Sequence, residues 1–263
     1  MLVDSHCHLN YPGLVEELPD VLSRARTAGV GTMVCICSRM GEFPDIRAIA
    51  EANPDIYCSV GVHPHDSGDE APIALETLLR AAAHPKVVGI GETGLDFYYD
   101  KSPREAQEIN FRTHIAAARE TGLPLIVHTR DADARTVEIL TDEYEKGPFP
   151  GLIHCFTAGP ELADSVIKLG FYISLSGIIT FKNAEPIRET VGRLPLDRIL
   201  VETDSPFLAP IPRRGKRNEP AYVVHTAERA AELFGLSAEA LAEKTTANFF
   251  RLFTRAKAPA TVA

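Results

Sequence analysis

At 263 residues the chain has room for one large α/β domain or two small ones, and its 45% hydrophobic and 24% charged content suits a globular protein with a sizeable core. Lys+Arg of 27 against Asp+Glu of 36 leaves a formal charge of −9, so the surface as a whole repels polyanions and any grip on nucleic acid has to be local. The opening "MLVDSHCHLN" lacks the cationic start and apolar run of a signal peptide, no stretch approaches the roughly 18 apolar residues of a membrane span, and five cysteines argue for a reducing compartment, the cytoplasm, rather than a disulfide framework.

The first β-branched run is 2–5 (LVDS), and Leu18, Val21, Leu22 and Ala25 follow it at helical spacing, with Gly29 placed to stop that helix. Runs at 31–37, 56–62 and 87–91 come next, separated by helical patterns at 42–53 and 75–84. The plainest helix start is "SPRE": Ser102 as N-cap, Pro103 at the first helical position and Glu105 as the reciprocal capping partner, with the helix ending near Gly122 because Pro124 forbids continuation. Runs at 124–128, 151–154, 171–175 and 198–203 then alternate with helices at 133–146, 160–169 and 184–193, and a helical pair at 221–234 and 238–252 closes the chain. Strands that are apolar throughout and alternate with helices predict a parallel sheet buried on both faces. Eight such units in about 250 residues is the size of a (β/α)8 TIM-type barrel, expected here as a single domain over 1–263, with 1–255 as its body and 256–263 as a disordered tail. An open doubly wound sheet is the competing architecture.

The chemistry-bearing side chains fall at the strand exits. His6 and His8 close the first run (DSHCH), His63 and His65 follow the third (GVHPH), Glu92 the fourth, His128 the fifth (PLIVHTR), His154 the sixth (LIHCF) and Asp204 the eighth (LVETDSP). In a parallel barrel these ends meet at one face, where barrel active sites are built. Taken singly, His128 and His154 read as core histidines and Asp204 as an N-cap before Pro206. Taken together they form a ligand set for two divalent cations, because His6 and His8 share one face of a strand and the others ring the same mouth. Thiolate-free ligation of this kind suits Zn²⁺, Mn²⁺ or Fe, with Mg²⁺ a weaker candidate. The expected arrangement has His6, His8, Glu92 and Asp204 on one ion and Glu92, His128 and His154 on the other. Asp204 is also expected to accept the proton of an attacking water, which makes Glu92 and Asp204 the expected catalytic carboxylates. His63, His65, Asp96 and Arg130 are expected to touch the ligands or the substrate. His84, His114 and His225 lie in or beside helices and are assigned no role, and Cys7, Cys35, Cys37 and Cys155 are assigned to packing.

One motif points elsewhere. Gly89-Ile90-Gly91-Glu92-Thr93-Gly94 is a literal G-x-G-x-x-G, but a dinucleotide fingerprint belongs at the first strand-to-helix turn, and this one follows the fourth strand with "LDFYYD" behind it. The glycines are better read as letting the backbone leave a crowded barrel mouth, with Glu92 aimed inward.

The blocks "VDSHCHLN", "GVHPH", "GIGETGLDFYYD", "PLIVHTRDAD", "HCFTAG", "LVETDSPFLAP" and "RNEP" together resemble the TatD-like deoxyribonucleases, a branch of the amidohydrolase-type barrels, in that family's order from residue 3 to about 220. The resemblance implies a (β/α)8 barrel, divalent metals at the matching positions His6, His8, Glu92, His128, His154 and Asp204, and 3′-to-5′ exonucleolytic phosphodiester hydrolysis on DNA, with RNA as a further substrate. No ligand position departs from the family pattern; Ala158 stands where many relatives have Gly. The family's other reported cleavages, including removal of D-amino acids from tRNA, make a dinuclear amide or aminoacyl-ester hydrolase the alternative, and a binding module without turnover a third class. Arg213, Arg214, Lys216 and Arg217 in "PIPRRGKRNEP" are expected to hold backbone phosphates near the metals. Phe97, Tyr98 and Tyr99 are candidates to stack an unpaired base or to roof the barrel. No membrane and no obligatory protein partner are expected.

Overall fold

The computed structural model describes residues 1–68 and 72–258. Eight parallel strands lie in sequence order: β1 Leu2–Cys7, β2 Val30–Cys35, β3 Ile56–Val60, β4 Val87–Asp96, β5 Leu125–Arg130, β6 Gly151–Ile153, β7 Tyr172–Leu175 and β8 Ile199–Val201. The sheet closes just beyond β8. Cys7 and Ser205 form a parallel bridge, Asp204 N donates to His6 O (2.9 Å) and His8 N donates to Ser205 O (2.8 Å). That closure rules out the open doubly wound sheet and gives the expected (β/α)8 barrel as a single domain.

The outer helices are α1 Leu18–Thr27, α2 Phe43–Ala52, α3 Leu75–Ala82, α4 Arg104–Thr121, α5 Asp133–Glu145, α6 Pro160–Lys168, α7 Glu185–Val191, α8 Val223–Phe234 and α9 Ala238–Leu252. The apolar stripe Val21, Leu22 and Ala25 of α1 is buried against the barrel, and α4 ends at Gly122 in the left-handed conformation (φ 69°). The start of α4 departs from expectation. Pro103 occupies the N-cap without a side-chain cap, while Ser102 Oγ donates to His65 O (2.6 Å) and accepts from Gly68 N (3.0 Å). A tertiary demand on the hydroxyl outcompetes the local cap.

Side chains from all eight strands (Val3, Val34, Ile36, Tyr57, Val88, Ile126, Leu152, Tyr172 and Leu200) form one apolar cluster with Phe249, Leu252, Phe253 and Ala256. These fill the barrel interior toward its N-terminal end, and α9 with the residues after it plugs that end. Of the expected tail, Ala256 is therefore packed, and Lys257 N donates to Tyr57 Oη (2.9 Å); residues 259–263 lie outside the described residues. Among the described residues no helix is long and apolar enough to cross a membrane.

Strand β4 runs to Asp96, five residues past the expected end, because two glycines let it press against β5. At Gly91 (φ 132°) a Cβ would lie 2.6 Å from Ile126 O, and at Gly94 (φ 137°) one would lie 2.0 Å from His128 O. The G-x-G-x-x-G segment is thus a close-packed strand carrying both Glu92 and Asp96 to the mouth.

Candidate metal centre

Period-two alternation delivers the site. The inner face that holds Ile126 and Leu152 in the apolar cluster continues two residues later to His128 and His154, and from Leu200 to Glu202. Asp204 sits at φ 56° just past β8, a left-handed conformation that Asp tolerates better than most residues, and its turn brings the carboxylate back over β1. Asp4 fastens the same seam: its buried carboxylate accepts from Thr203 N (2.9 Å), Thr203 Oγ1 (2.6 Å) and His6 N (3.3 Å). Burial pushes the Asp4 pKa up to about 8 against the pull of the Thr203 hydrogen bonds.

All six expected ligands converge. Glu92 is the hub: Oε1 lies 2.8 Å from His154 Nε2, 3.1 Å from His128 Nδ1 and 3.4 Å from His63 Nε2, and Oε2 lies 3.3 Å from His6 Nε2. Asp204 Oδ1 is 3.4 Å from His8 Nε2 and 3.6 Å from His6 Nε2. The rings of His6 and His154 stack at 3.9 Å. Donor atoms group within 4.8 Å as His6–His8–Glu92, as His63–Glu92–His128 and as His6–His154–Glu202. The first group holds three of the four residues expected around the first ion, His6, His8 and Glu92, with Asp204 beside it at 3.4 Å from His8 Nε2. The expected second set is equally compact, because His154 Nε2 and His128 Nδ1 are 3.4 Å apart around Glu92 Oε1.

The site fits cations by what it leaves unsatisfied. His6 Nδ1 and Nε2, His8 Nδ1 and Glu202 Oε2 are buried with no hydrogen-bond partner among the described residues; His6 Nε2 is near Glu92 yet out of alignment with it. A buried polar atom left bare costs about 1–3 kcal/mol, so this concentration marks groups held for a ligand.

Electrostatics agree. Burial alone would raise the Glu92 pKa, but His154, His63, His6 and His128 outweigh it and hold it well below the ordinary range. Burial opposes the charge on His154, yet Glu92 and Glu202 raise its pKa well above normal, and for His128 the carboxylates of Asp96 and Glu92 likewise win over burial. His6 goes the other way, lowered by burial and by His154. Asp204, despite burial, is held low by its hydrogen bond to His8 and the charges of His6, His154 and His8, so it stays ionised.

Hydrogen bonds behind the rings select which nitrogen faces the mouth. Glu202 Oε1, which accepts from Cys155 N (2.8 Å), lies 3.2 Å from His154 Nδ1 and keeps the proton there, leaving Nε2 as the donor atom toward Glu92. Asp96 Oδ2 does the same for His128 at Nε2 (3.1 Å), leaving Nδ1. His63 is wired oppositely. Its Nδ1 accepts from His65 N (3.1 Å), so the proton sits on Nε2 and points at Glu92. Burial lowers the His63 pKa to about 4, and with Nδ1 accepting from His65 N its Nε2 is the nitrogen turned toward Glu92. His65 Nε2 meets Asp96 Oδ2 at 2.7 Å.

The mouth opens into a cleft of about 1520 Å³ lined by ligand candidates together with Tyr11, Arg39, Glu42, Tyr99, Lys101, Arg130 and Phe207. Arg130, expected to touch the ligands or the substrate, is among the residues lining this cleft. Arg213, Arg214 and Arg217 are not among the lining residues. Arg213 lies over the Tyr222 ring (5.0 Å), Arg214 over Phe181 (4.0 Å), and Arg217 pairs with Glu17 (2.9 Å). The guanidinium groups of that loop find local partners. Cys155, assigned to packing, lines the cleft, since its φ of 44° breaks the strand alternation. Glu202 was missed, though Leu200-x-Glu202-x-Asp204 places it on the inward register, and Asp96 proved more central than its sequence position suggests.

Comparison with known proteins agrees with this geometry. The sequence profile described as TatD related DNase matches residues 3–254. The chain is 46% identical over 255 residues to the uncharacterized metal-dependent hydrolase YcfH of Escherichia coli K12, covering 96% of this chain and 95% of that protein. It is 33% identical over 257 residues to the 3′-5′ ssDNA/RNA exonuclease TatD of Escherichia fergusonii, covering 96% and 98%. The crystal structure of YjjV, a TatD homolog from E. coli K12, superposes with a TM-score of 0.90 at 28% identity, over 96% of this chain and 98% of that one.

Proposed function

The chain belongs to the TatD-related DNases, a family of metal-dependent hydrolases, and on that premise we propose that it is a 3′-5′ exonuclease of single-stranded nucleic acid working with two divalent cations. The observation that carries the reading is the convergence of His6, His8, His128, His154, Glu92 and Asp204 at one mouth, with buried imidazole nitrogens left bare. In this reading His6, His8, Glu92 and Asp204 hold one ion, Glu92, His128 and His154 hold the other, and imidazole-rich ligation favours Zn²⁺ or Mn²⁺ over Mg²⁺. Bound there, the ions supply Lewis-acid polarisation of a phosphoryl oxygen and water of lowered pKa.

The chain's own residues do the rest. Asp204 Oδ1, ionised and exposed to the cleft, accepts the proton of the attacking water. His63 directs its Nε2–H into the same space and orients Glu92. Glu202 and Asp96 keep the His154 and His128 rings from turning. DNA is the proposed substrate, with RNA and tRNA ends as the related candidates, and the five free cysteines accord with a cytoplasmic setting.

The test is a metal-stripped protein reloaded with Zn²⁺, Mn²⁺ or Mg²⁺, assayed for mononucleotide release from 5′-labelled single-stranded DNA alongside metal content. Two ions per chain and stepwise shortening from the 3′ end are expected, and Glu92→Gln should lower the rate by about 10⁴-fold, the scale for removing a member of a catalytic unit. Intact DNA under every metal, with turnover of an aminoacyl ester or amide instead, would overturn the reading.

A further inference from the structure

The loop after β4 presents two aromatic rings to solvent: Tyr98 is 57% exposed and Tyr99 51%. Exposed rings on a loop are ordinarily free to move, but these are fastened. Asp96 Oδ1 accepts from Tyr98 N (3.1 Å) and Tyr99 N (2.9 Å), while Oδ2 of the same carboxylate lies against His65 (2.7 Å) and His128 (3.1 Å). One buried side chain therefore sets the distance between the aromatic loop and a candidate ligand.

The register Asp96↔Arg130 then brings a cation to the rings. The Arg130 guanidinium lies 4.1 Å from the Tyr98 centroid and 4.7 Å from that of Tyr99, and the Lys101 ammonium lies 5.5 Å from Tyr99. Tyr99, Lys101 and Arg130 all line the cleft, and among the described residues no carboxylate forms an ion pair with Arg130 or Lys101. The β2 side of the cleft is different: Glu42 and Asp45 line it, and Arg39 is paired with Asp66 (2.6 Å). The positive flank is thus also an aromatic one. A planar π-face beside two cations matches an unpaired base with its phosphate.

We infer that Tyr99, with Arg130 and Lys101, forms the subsite for the nucleotide retained next to the scissile phosphate, its base stacked on Tyr99 and its 5′ phosphate held by the cations. This rests on the exonuclease reading above. The choice of the retained nucleotide follows from charge: the released nucleotide brings only the phosphate that the metals hold, whereas every nucleotide kept in the chain adds another that needs a cation. Stacking also makes the subsite blind to base identity and closed to a base still paired in a duplex.

The test combines a chemical and a genetic deletion. Metal-loaded wild type and Tyr99→Ala are assayed on a single-stranded oligonucleotide with its penultimate 3′ nucleotide either intact or abasic, with melting temperature and metal content measured on both proteins. Tyr99→Ala is expected to raise KM by about 10-fold on the intact strand with kcat within twofold, the abasic change to cost wild type the same, and the two together to cost no more than either alone. Arg130→Ala should flatten the salt dependence of KM by close to one phosphate contact. An equal penalty for Tyr99→Ala on both strands, or none on either, overturns the subsite while leaving the nuclease standing. A wild type that releases no nucleotide overturns the exonuclease reading, and the subsite falls with it.

Discussion

The two ends of the barrel are built from the same strands and could hardly differ more. At the N-terminal end Val3, Ile126, Leu152 and Leu200 meet Phe249 and Phe253 in an apolar plug. Two residues further along, the same faces carry His128, His154 and Glu202 into a mouth where bare nitrogens and carboxylates crowd within hydrogen-bonding reach of one another. The lesson is one of division of labour: apolar burial at one end stabilises a scaffold stiff enough to hold like groups together at the other.

The contrast can be broken from either end. Phe249 is fully buried, so Phe249→Ala should destabilise by about 3–5 kcal/mol, read as a lower urea midpoint, while the folded fraction binds metal as wild type does. A loss of metal affinity matching the loss of stability would mean that the two ends are not separable.

A smaller effect comes from a histidine in neither region. His114 of α4 is buried; its Nε2 accepts from Val62 N (3.0 Å) and its Nδ1–H donates to Asn110 O (2.7 Å), holding the segment just before His63. It had been assigned no role, and the structure gives it a structural one. Burial lowers its pKa to about 4 from an ordinary 6.5, so between those values the unfolded chain takes up a proton that the folded chain refuses. Its contribution is therefore complete above about pH 6.5 and is lost as the pH falls through that window, roughly 3 kcal/mol in all. Melting temperatures of the metal-free protein at pH 7 and pH 5 should diverge less in His114→Gln than in wild type, and equal slopes would refute this.

The smallest effect sharpens the polar end. Asp96→Asn offers His128 an amide N–H in place of an acceptor, which shifts the ring proton to Nδ1, the atom facing Glu92. Metal affinity by calorimetry should drop about 10–100-fold, with ¹⁵N histidine spectra reporting the changed tautomer and stability little altered. Unchanged affinity would show that His128 is not oriented through Asp96.

Much of this was legible because strand exits in a parallel barrel share one rim: a histidine or carboxylate placed there needs no knowledge of packing to be assigned to the mouth. His6, His8, Glu92, His128, His154 and Asp204 were found that way. Arg213, Arg214 and Arg217 were placed beside the last strand by sequence alone, and the structure adds their local partners Tyr222, Phe181 and Glu17. Ser102 misled because a side chain with two possible partners goes to the one that tertiary contacts present.

By itself the amino-acid order determined the alternation of strands and helices, the barrel that such alternation builds, and the ring of histidines and carboxylates at its rim, since all three depend on spacing along the chain. Which nitrogen of each histidine faces the mouth, the partnership of Glu202 with His154, the reach of β4 to Asp96 and the cation behind Tyr99 were decided only by tertiary structure, because each depends on atoms brought together from strands far apart in sequence.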